Sequence, residues 1–155
     1  MSELREMIER VAQPGRLVWI GLRPGRRGAI RMVDAVEIGA DGLAGDHGRA
    51  GKRAVTPFQD EHLAAVGSFL GRAPLDPALL RRNLVVAGIN LSAFRGRCLR
   101  IGTVELCVTG VCAPCSRMEE ALGPGGYAAL RGHGGWCAEV RHPGRIALGD
   151  PVQAA

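Results

Sequence analysis

Apolar positions in this chain come in short clusters, and their spacing changes from one cluster to the next. Over residues 2–11, Leu4, Met7, Ile8 and Val11 recur at three- and four-residue intervals. That period predicts a short amphipathic helix, with Ser2 as its N-cap. After Pro14-Gly15 the compact run LVWIGL predicts a strand. In IRMVDAVEIG, Ile30, Met32, Val36 and Ile38 alternate with Arg31, Ala35 and Glu37, which predicts a second strand whose apolar face is broken by Asp34. A glycine-rich loop, GADGLAGDHGRAGKR, follows, and then a strand from Ala54 (AVTPF).

QDEHLAAVGSFLG predicts a helix, with Leu63, Val66 and Leu70 on one stripe and Gly71 at its end. Residues 74–81 read as loop plus a helical turn. NLVVAG, CLRI and TVELCVTGV read as strands, the last two joined at Ile101-Gly102. Residues 116–122 and 126–130 read as short helices. GWCAEVR and residues 145–148 read as a closing hairpin across His142-Pro143-Gly144.

This makes about eight short strands and three or four small helices. The strands lie too close in sequence for helices to cross between all of them, so a doubly wound parallel sheet is not expected. The pattern predicts a mainly β fold, a mostly antiparallel barrel or coiled sheet with peripheral helices.

Composition narrows this. At 155 residues the chain suits one domain able to bury a core without staples. Only three Phe, two Trp and one Tyr are present, so the core must be mainly aliphatic. No apolar run approaches the ~20 residues that span a membrane, and MSELREMIER has no apolar signal region. The expectation is a cytoplasmic protein whose five cysteines are mostly reduced, since an odd number argues against a disulfide framework. The net charge is +5 and Lys52 is the sole lysine, so the basic charge is almost all arginine. Guanidinium forks match phosphate geometry, which makes an anion site one reading of that bias and codon bias the other. Without a dense basic block or interleaved aromatics, nucleic acid is not expected as a partner.

The chemistry concentrates in VTGVCAPCSRMEE, residues 108–120, where Cys112 and Cys115 are two residues apart. With His133 and Cys137 they form C-x2-C-x17-H-x3-C, plausible spacing for structural zinc. Against zinc, the alternation WCAEV puts Trp136, Ala138 and Val140 on the core face and Cys137 opposite. A thioredoxin-like couple lacks its βαβ setting. Both cysteines also suit plain packing as small hydrophobes. A further reading is one functional thiolate: Cys115 lies at the start of a predicted helix with Arg117 nearby, and partial positive charge there lowers a thiol pKa.

Five pieces in order, GLAGDH, KRAVTPFQDEHL, RRNLVVAGINL, LRIGTVELCVTGVCAPCSRME and LGDPV, resemble the MOSC domain, the C-terminal domain family of molybdenum cofactor sulfurases, over residues 19–152. The resemblance is closest to small standalone bacterial members. It implies a mostly antiparallel β-barrel and binding of molybdenum cofactor; an association with pyridoxal phosphate comes with the family name alone. The family's G-x-x-x-P-C stretch falls on Cys115, which would be the metal ligand and catalytic thiol. Arg82 and Asn83 would contact the pterin or its phosphate, with Arg81 a weaker candidate. Asp46, His47, Arg53 and Arg117 would shape the pocket, although Asp46 and His47 equally suit a plain turn. An oxidoreductase acting on small N-hydroxylated compounds is implied, with a separate electron-donor protein, because the chain carries no flavin or iron–sulfur motif. A non-enzymatic sulfur or cofactor carrier using Cys115 is the alternative, and a zinc-stabilised interaction domain is another.

Overall fold

The computed structural model describes residues 2–155. Ser2 caps α1 (Glu3–Glu9), its hydroxyl oxygen accepting the Arg5 N–H at 3.3 Å. The apolar stripe of that helix does not reach the core: Leu4, Met7 and Ile8 are all exposed. The interior is filled without them by side chains of the strands.

The chain continues through β1 (Gly15–Leu22), β2 (Arg31–Met32), β3 (Ala35–Gly39), β4 (Gly42–Leu43) and β5 (Pro57–Gln59). Then come α2 (Glu61–Phe69), a 3-10 turn (Pro77–Leu80), β6 (Leu84–Ala87), a second 3-10 turn (Leu91–Phe94), β7 (Cys98–Ile101) and β8 (Val104–Val111). Helices α3 (Ser116–Leu122) and α4 (Gly126–Leu130) precede β9 (Trp136–His142), β10 (Gly144–Ala147) and β11 (Pro151–Ala154).

The expected mainly β, barrel-like architecture is present, but the main sheet is mixed. Its order is β5-β6-β1-β11-β7-β8-β9, with β2 added on β1. Only β5 and β6 run parallel, with Phe58 opposite Val85. The segment containing α2 makes the long crossover that a parallel pair needs. Val55, just ahead of β5, exchanges two backbone hydrogen bonds with Ala138 of β9, at 3.0 and 2.8 Å. That bridge brings the two ends of the sheet together and nearly closes the barrel. A three-stranded sheet, β10-β3-β4, lies beside it.

Three expectations are corrected in detail. The segment IRMVDAVEIG is two strands, broken around Asp34, with β2 on β1 and β3 on β10. Eleven strands form among the described residues; the added ones are short or, like β11, end-of-chain segments whose hydrogen bonds come from distant partners. Cys98 and Cys107 are not reduced: directly opposite each other on β7 and β8, they form a disulfide.

Alternation along β6 shows how the core is divided. Leu84 and Val86 enter the barrel core with Leu17, Ile20, Phe94, Leu99, Ile101, Leu106 and Ile146. Val85 points the other way, into a second cluster with Phe58, Leu63, Val66, Leu80, Met118, Leu122 and Leu130. The helices therefore cover one outer face of the sheet. This packing anchors the segments that leave β1 and β8 and the one that enters β6, where the arginines gather.

Candidate functional site

Two ion-and-carbonyl clamps build the site. Asp46 closes the glycine-rich loop after β4, and its side chain is fully buried. One carboxylate oxygen accepts the Arg23 backbone N–H at 2.7 Å and Arg23 Nε at 3.0 Å; the other accepts Arg23 Nη2 at 2.8 Å and the Gly48 N–H at 3.2 Å. Burial pushes the Asp46 pKa up, but the hydrogen bonds and charge of Arg23 outweigh it and hold the carboxyl below its ordinary value. Arg23 also donates to the Arg81 carbonyl at 3.0 Å. Arg81, which alone among the described non-glycine residues has a positive φ (54°), donates in turn to the Gly25 and Gly28 carbonyls at 2.7 and 2.6 Å. The loop after β1 is thereby tied to the start of β6.

The second clamp runs through Arg82, whose Nε donates to the Gly134 carbonyl at 2.8 Å and whose Nη1 donates to the Leu80 carbonyl at 3.2 Å. Gly134 has to be glycine: a Cβ there would stand 2.6 Å from the Cys112 carbonyl oxygen. The Cys112 N–H donates to the Gly135 carbonyl at 2.9 Å. Arg82, the 134–135 turn and Cys112 are thus locked together.

Between the clamps lies a cavity of about 460 Å³, lined by Arg23, Gly25, Arg26, His47, Gly48, Arg49, Arg53, Thr56, Arg82 and Cys112. Five guanidinium groups line it and no carboxylate does. Asp46, the nearest acid by sequence, is already saturated by Arg23 and Gly48. Such a cavity attracts anions, and several guanidiniums offer the paired N–H geometry that phosphate accepts. Behind the wall, Thr56 and Asn83 are buried together: Asn83 Oδ1 accepts the Thr56 N–H at 2.8 Å and the hydroxyl at 3.2 Å, while the Asn83 N–H donates to that hydroxyl at 3.0 Å. Asn83 Nδ2 is buried with no acceptor.

Cys112 is buried on the cavity wall, with Cys137 beside it and Arg53 against both sulfurs. The hydrogen bond from the Cys137 thiol, helped by the charges of Arg82 and Arg53, overcomes burial and brings the Cys112 pKa down to about 6. Cys137, donating to that sulfur and desolvated, is pushed up. The two sulfurs thus differ in acidity, the pair releasing its first proton easily and holding its second.

Of the residues singled out from sequence, Arg82, Arg53 and His47 line the cavity. Asp46 stands outside it and acts by orienting Arg23. Asn83 is wholly buried behind Thr56. Arg117 lines an adjoining groove with Arg26, Arg27 and Arg81. Cys115 is exposed at the N-cap of α3 and is not among the residues that line the cavity or that groove. Arg23, Arg26 and Arg49 were not singled out, although the RPGRRG that follows a predicted strand is a dense arginine signal. Cys137 is buried, against expectation, because the 112 segment and Arg53 cover the outer face of β9. The four-residue zinc arrangement does not assemble: among the described residues no three His, Cys, Asp or Glu side chains converge as ligands, and His133 packs its ring against His62 and Phe69.

A nearly closed, mainly β barrel carrying an arginine-lined cavity and a strand-end cysteine segment defines the class of this protein. The family model of the MOSC domain matches residues 43–153, and the chain belongs to that family. Among solved structures, it is similar to the YuaD protein from Bacillus subtilis, with 16% identity, 90% of this chain and 94% of that one covered, and a TM-score of 0.78. It is also similar to YiiM from Geobacillus stearothermophilus (20% identity, 92% and 75% covered, TM-score 0.77) and to YiiM from Escherichia coli (22%, 90% and 69%, TM-score 0.69). At those identities the likeness is one of fold. A search of curated proteins finds no significant match. Among the described residues no helix is long and apolar enough to cross a membrane.

Proposed function

We propose that the chain binds molybdenum cofactor in the arginine cavity, with Cys115 supplying a thiolate to the metal, and that it reduces small N-hydroxylated compounds with electrons from a separate donor protein. The observation that carries this reading is the set of five guanidiniums lining a cavity that has no carboxylate of its own. The donor set suits an anionic pterin phosphate, and the unpartnered Asn83 Nδ2 beside Thr56 is a buried donor still in need of an acceptor. Arg82, Arg53 and Arg49 would hold the phosphate and pterin edge. Arg23, neutralised and fixed by Asp46, would brace the wall and leave the anion to the other guanidiniums. Bound cofactor supplies two-electron oxygen-atom chemistry; the protein's part is to orient it, exclude water and bring a thiolate to it.

The exposure of Cys115 favours a second reading, in which this thiol carries sulfur to another protein. One experiment separates the two. The protein is purified from a host that makes molybdenum cofactor, and molybdenum, pterin fluorescence and the Cys115 mass are measured. The proposal expects molybdenum and pterin in the wild type, loss of molybdenum with retention of pterin in Cys115→Ser, and loss of both in Arg82→Gln. Molybdenum content unchanged in Cys115→Ser would remove that residue as ligand. A one-sulfur adduct on Cys115 in metal-free, pterin-free protein would establish the carrier reading instead.

A further inference from the structure

We infer that Cys112 and Cys137 form a redox-active dithiol in the wall of the arginine cavity, which closes to a disulfide on reaction with a hydroperoxide. This goes beyond cofactor binding and uses neither Cys115 nor any metal.

The placement comes from the β8–β9 ladder. Gly110 pairs with Cys137 and Val111 with Trp136, and the Cys112 N–H bonds to the Gly135 carbonyl. Cys112 and Cys137 are therefore diagonal neighbours on one face of the sheet. Diagonal Cα atoms are ~7–8 Å apart in such a pair, and a disulfide needs roughly 4.4–6.8 Å. Closure requires a shift on the order of 1 Å; the backbone of Cys112 is held by Gly135, so the shift falls to the side chains and to the segment that follows, which belongs to no strand before α3 begins at Ser116. Both side chains are buried, with 3% and 5% of their surface exposed, yet Cys112 is open to the cavity. Arg53 and Arg82 flank it with positive charge, the setting that favours a thiolate nucleophile. Arg53 also touches Cys137, so one guanidinium serves both sulfurs.

The chemistry balances in two steps. The Cys112 thiolate attacks the terminal oxygen of the hydroperoxide; the O–O bond breaks, an S–O bond forms, and the alkoxide takes a proton to leave as an alcohol (water, from hydrogen peroxide). The Cys137 sulfur then attacks the sulfenic sulfur of Cys112; the S–S bond forms, the S–O bond breaks, and hydroxide leaves with the Cys137 proton as water. The two cysteines lose two electrons and the peroxide gains them. Cys137 is the resolving thiol, held protonated until the first step removes the charge on Cys112. The disulfide then deprives the cavity of its one anionic sulfur.

The test uses full-length protein, wild type and Cys115→Ser, treated with hydrogen peroxide. Before treatment each chain carries its free thiols beside the Cys98–Cys107 bond: three in the wild type and two in the variant. The expected result is loss of two thiols in both. Non-reducing tryptic mapping should then join peptide 101–117 to peptide 132–141. In Cys115→Ser, with peptide 98–100 still attached through the Cys98–Cys107 bond, that cross-link can only be Cys112–Cys137. Cys137→Ser should instead stop at a sulfenic acid on Cys112 that dimedone traps. The inference is overturned if the wild-type cross-link lies within peptide 101–117, as a Cys112–Cys115 bond would, or if Cys115→Ser keeps both thiols. Because Cys115→Ser retains this chemistry while losing the proposed metal ligand, failure here and failure of the cofactor reading are distinguishable.

Discussion

Strand β8 contributes to two cysteine pairs, and they differ in almost everything but chemistry. Cys107 faces Cys98 squarely across the β7–β8 ladder and is bonded to it. Cys112, just past the other end of the strand, meets Cys137 on the diagonal and is not bonded. The first pair is set on the flank of the barrel, away from the arginine cavity. The second is walled in by Arg53 and Arg82 at the cavity. Register separates the two pairs: a direct opposition makes a staple, whereas a diagonal contact beside guanidiniums leaves two free sulfurs. The same logic applies to the acids. Asp46 neutralises Arg23 permanently, whereas the Cys112 sulfur neutralises its arginines only while it is a thiolate.

The largest expected effect breaks the permanent member of that comparison. Asp46→Asn leaves Arg23, whose side chain is 11% exposed, without its anion. Removing one partner of a buried pair costs about 3–5 kcal/mol, so a loss near the lower end of that range is expected in denaturant melts at neutral pH. The pH dependence has a definite sign. The Asp46 carboxyl is depressed in the folded state, so its contribution is present above the unfolded carboxylate value and is lost as pH falls through the lower, folded value. Wild type and variant should therefore converge in acid. A constant gap down to acid denaturation would show that the carboxylate charge is not what matters.

Next comes the staple. Replacing both Cys98 and Cys107 by Ser opens a short loop, with a sequence separation of nine residues, and should cost about 2–3 kcal/mol by chain entropy. The same double replacement at Cys112 and Cys137 should cost far less, because no cross-link is lost. If the two double variants melt alike, the contrast between staple and reactive pair fails.

How far the sequence reveals this molecule follows the range of the interactions. Ser2, the strand LVWIGL and the helix ending at Gly71 are local patterns, and they stand where periodicity puts them. The Asp34 break was visible, but whether it bends one strand or separates two depends on β1 and β10, which lie far away in the chain. The Cys98–Cys107 bond requires register, and spacing alone does not supply it. Arg82, Arg53 and His47 were legible through family motifs. Arg23, Arg26 and Arg49 become a site only when the Asp46 and Arg81 clamps fold two distant loops together. Cys137 lies on the face opposite the core, as alternation predicts, but its burial is not legible, because alternation says which residues share a face, not whether that face is covered by another segment.

The smallest effect on stability is the most direct probe of the reactive pair. Only the Cys112 thiolate alkylates, so its rate with iodoacetamide, read by mass spectrometry on peptide 101–117, should rise with pH to a plateau with a midpoint of about 6. Using Cys115→Ser removes the competing exposed thiol. The hydrogen bond from Cys137 is the largest cause of the low value and the two guanidiniums add to it, so Cys137→Ala and Arg53→Gln should each move the midpoint upward, the first further. The linkage to folding has the same sign as for Asp46. A thiol whose folded pKa is lowered adds stability that is complete above its unfolded value near 9 and is lost as pH falls through about 6. Wild type should therefore gain stability relative to Cys112→Ala across that window. A midpoint that stays at the ordinary thiol value, unmoved by Arg53→Gln, would mean that the cavity arginines do not act on this sulfur, and the two cysteine pairs would then differ in geometry alone.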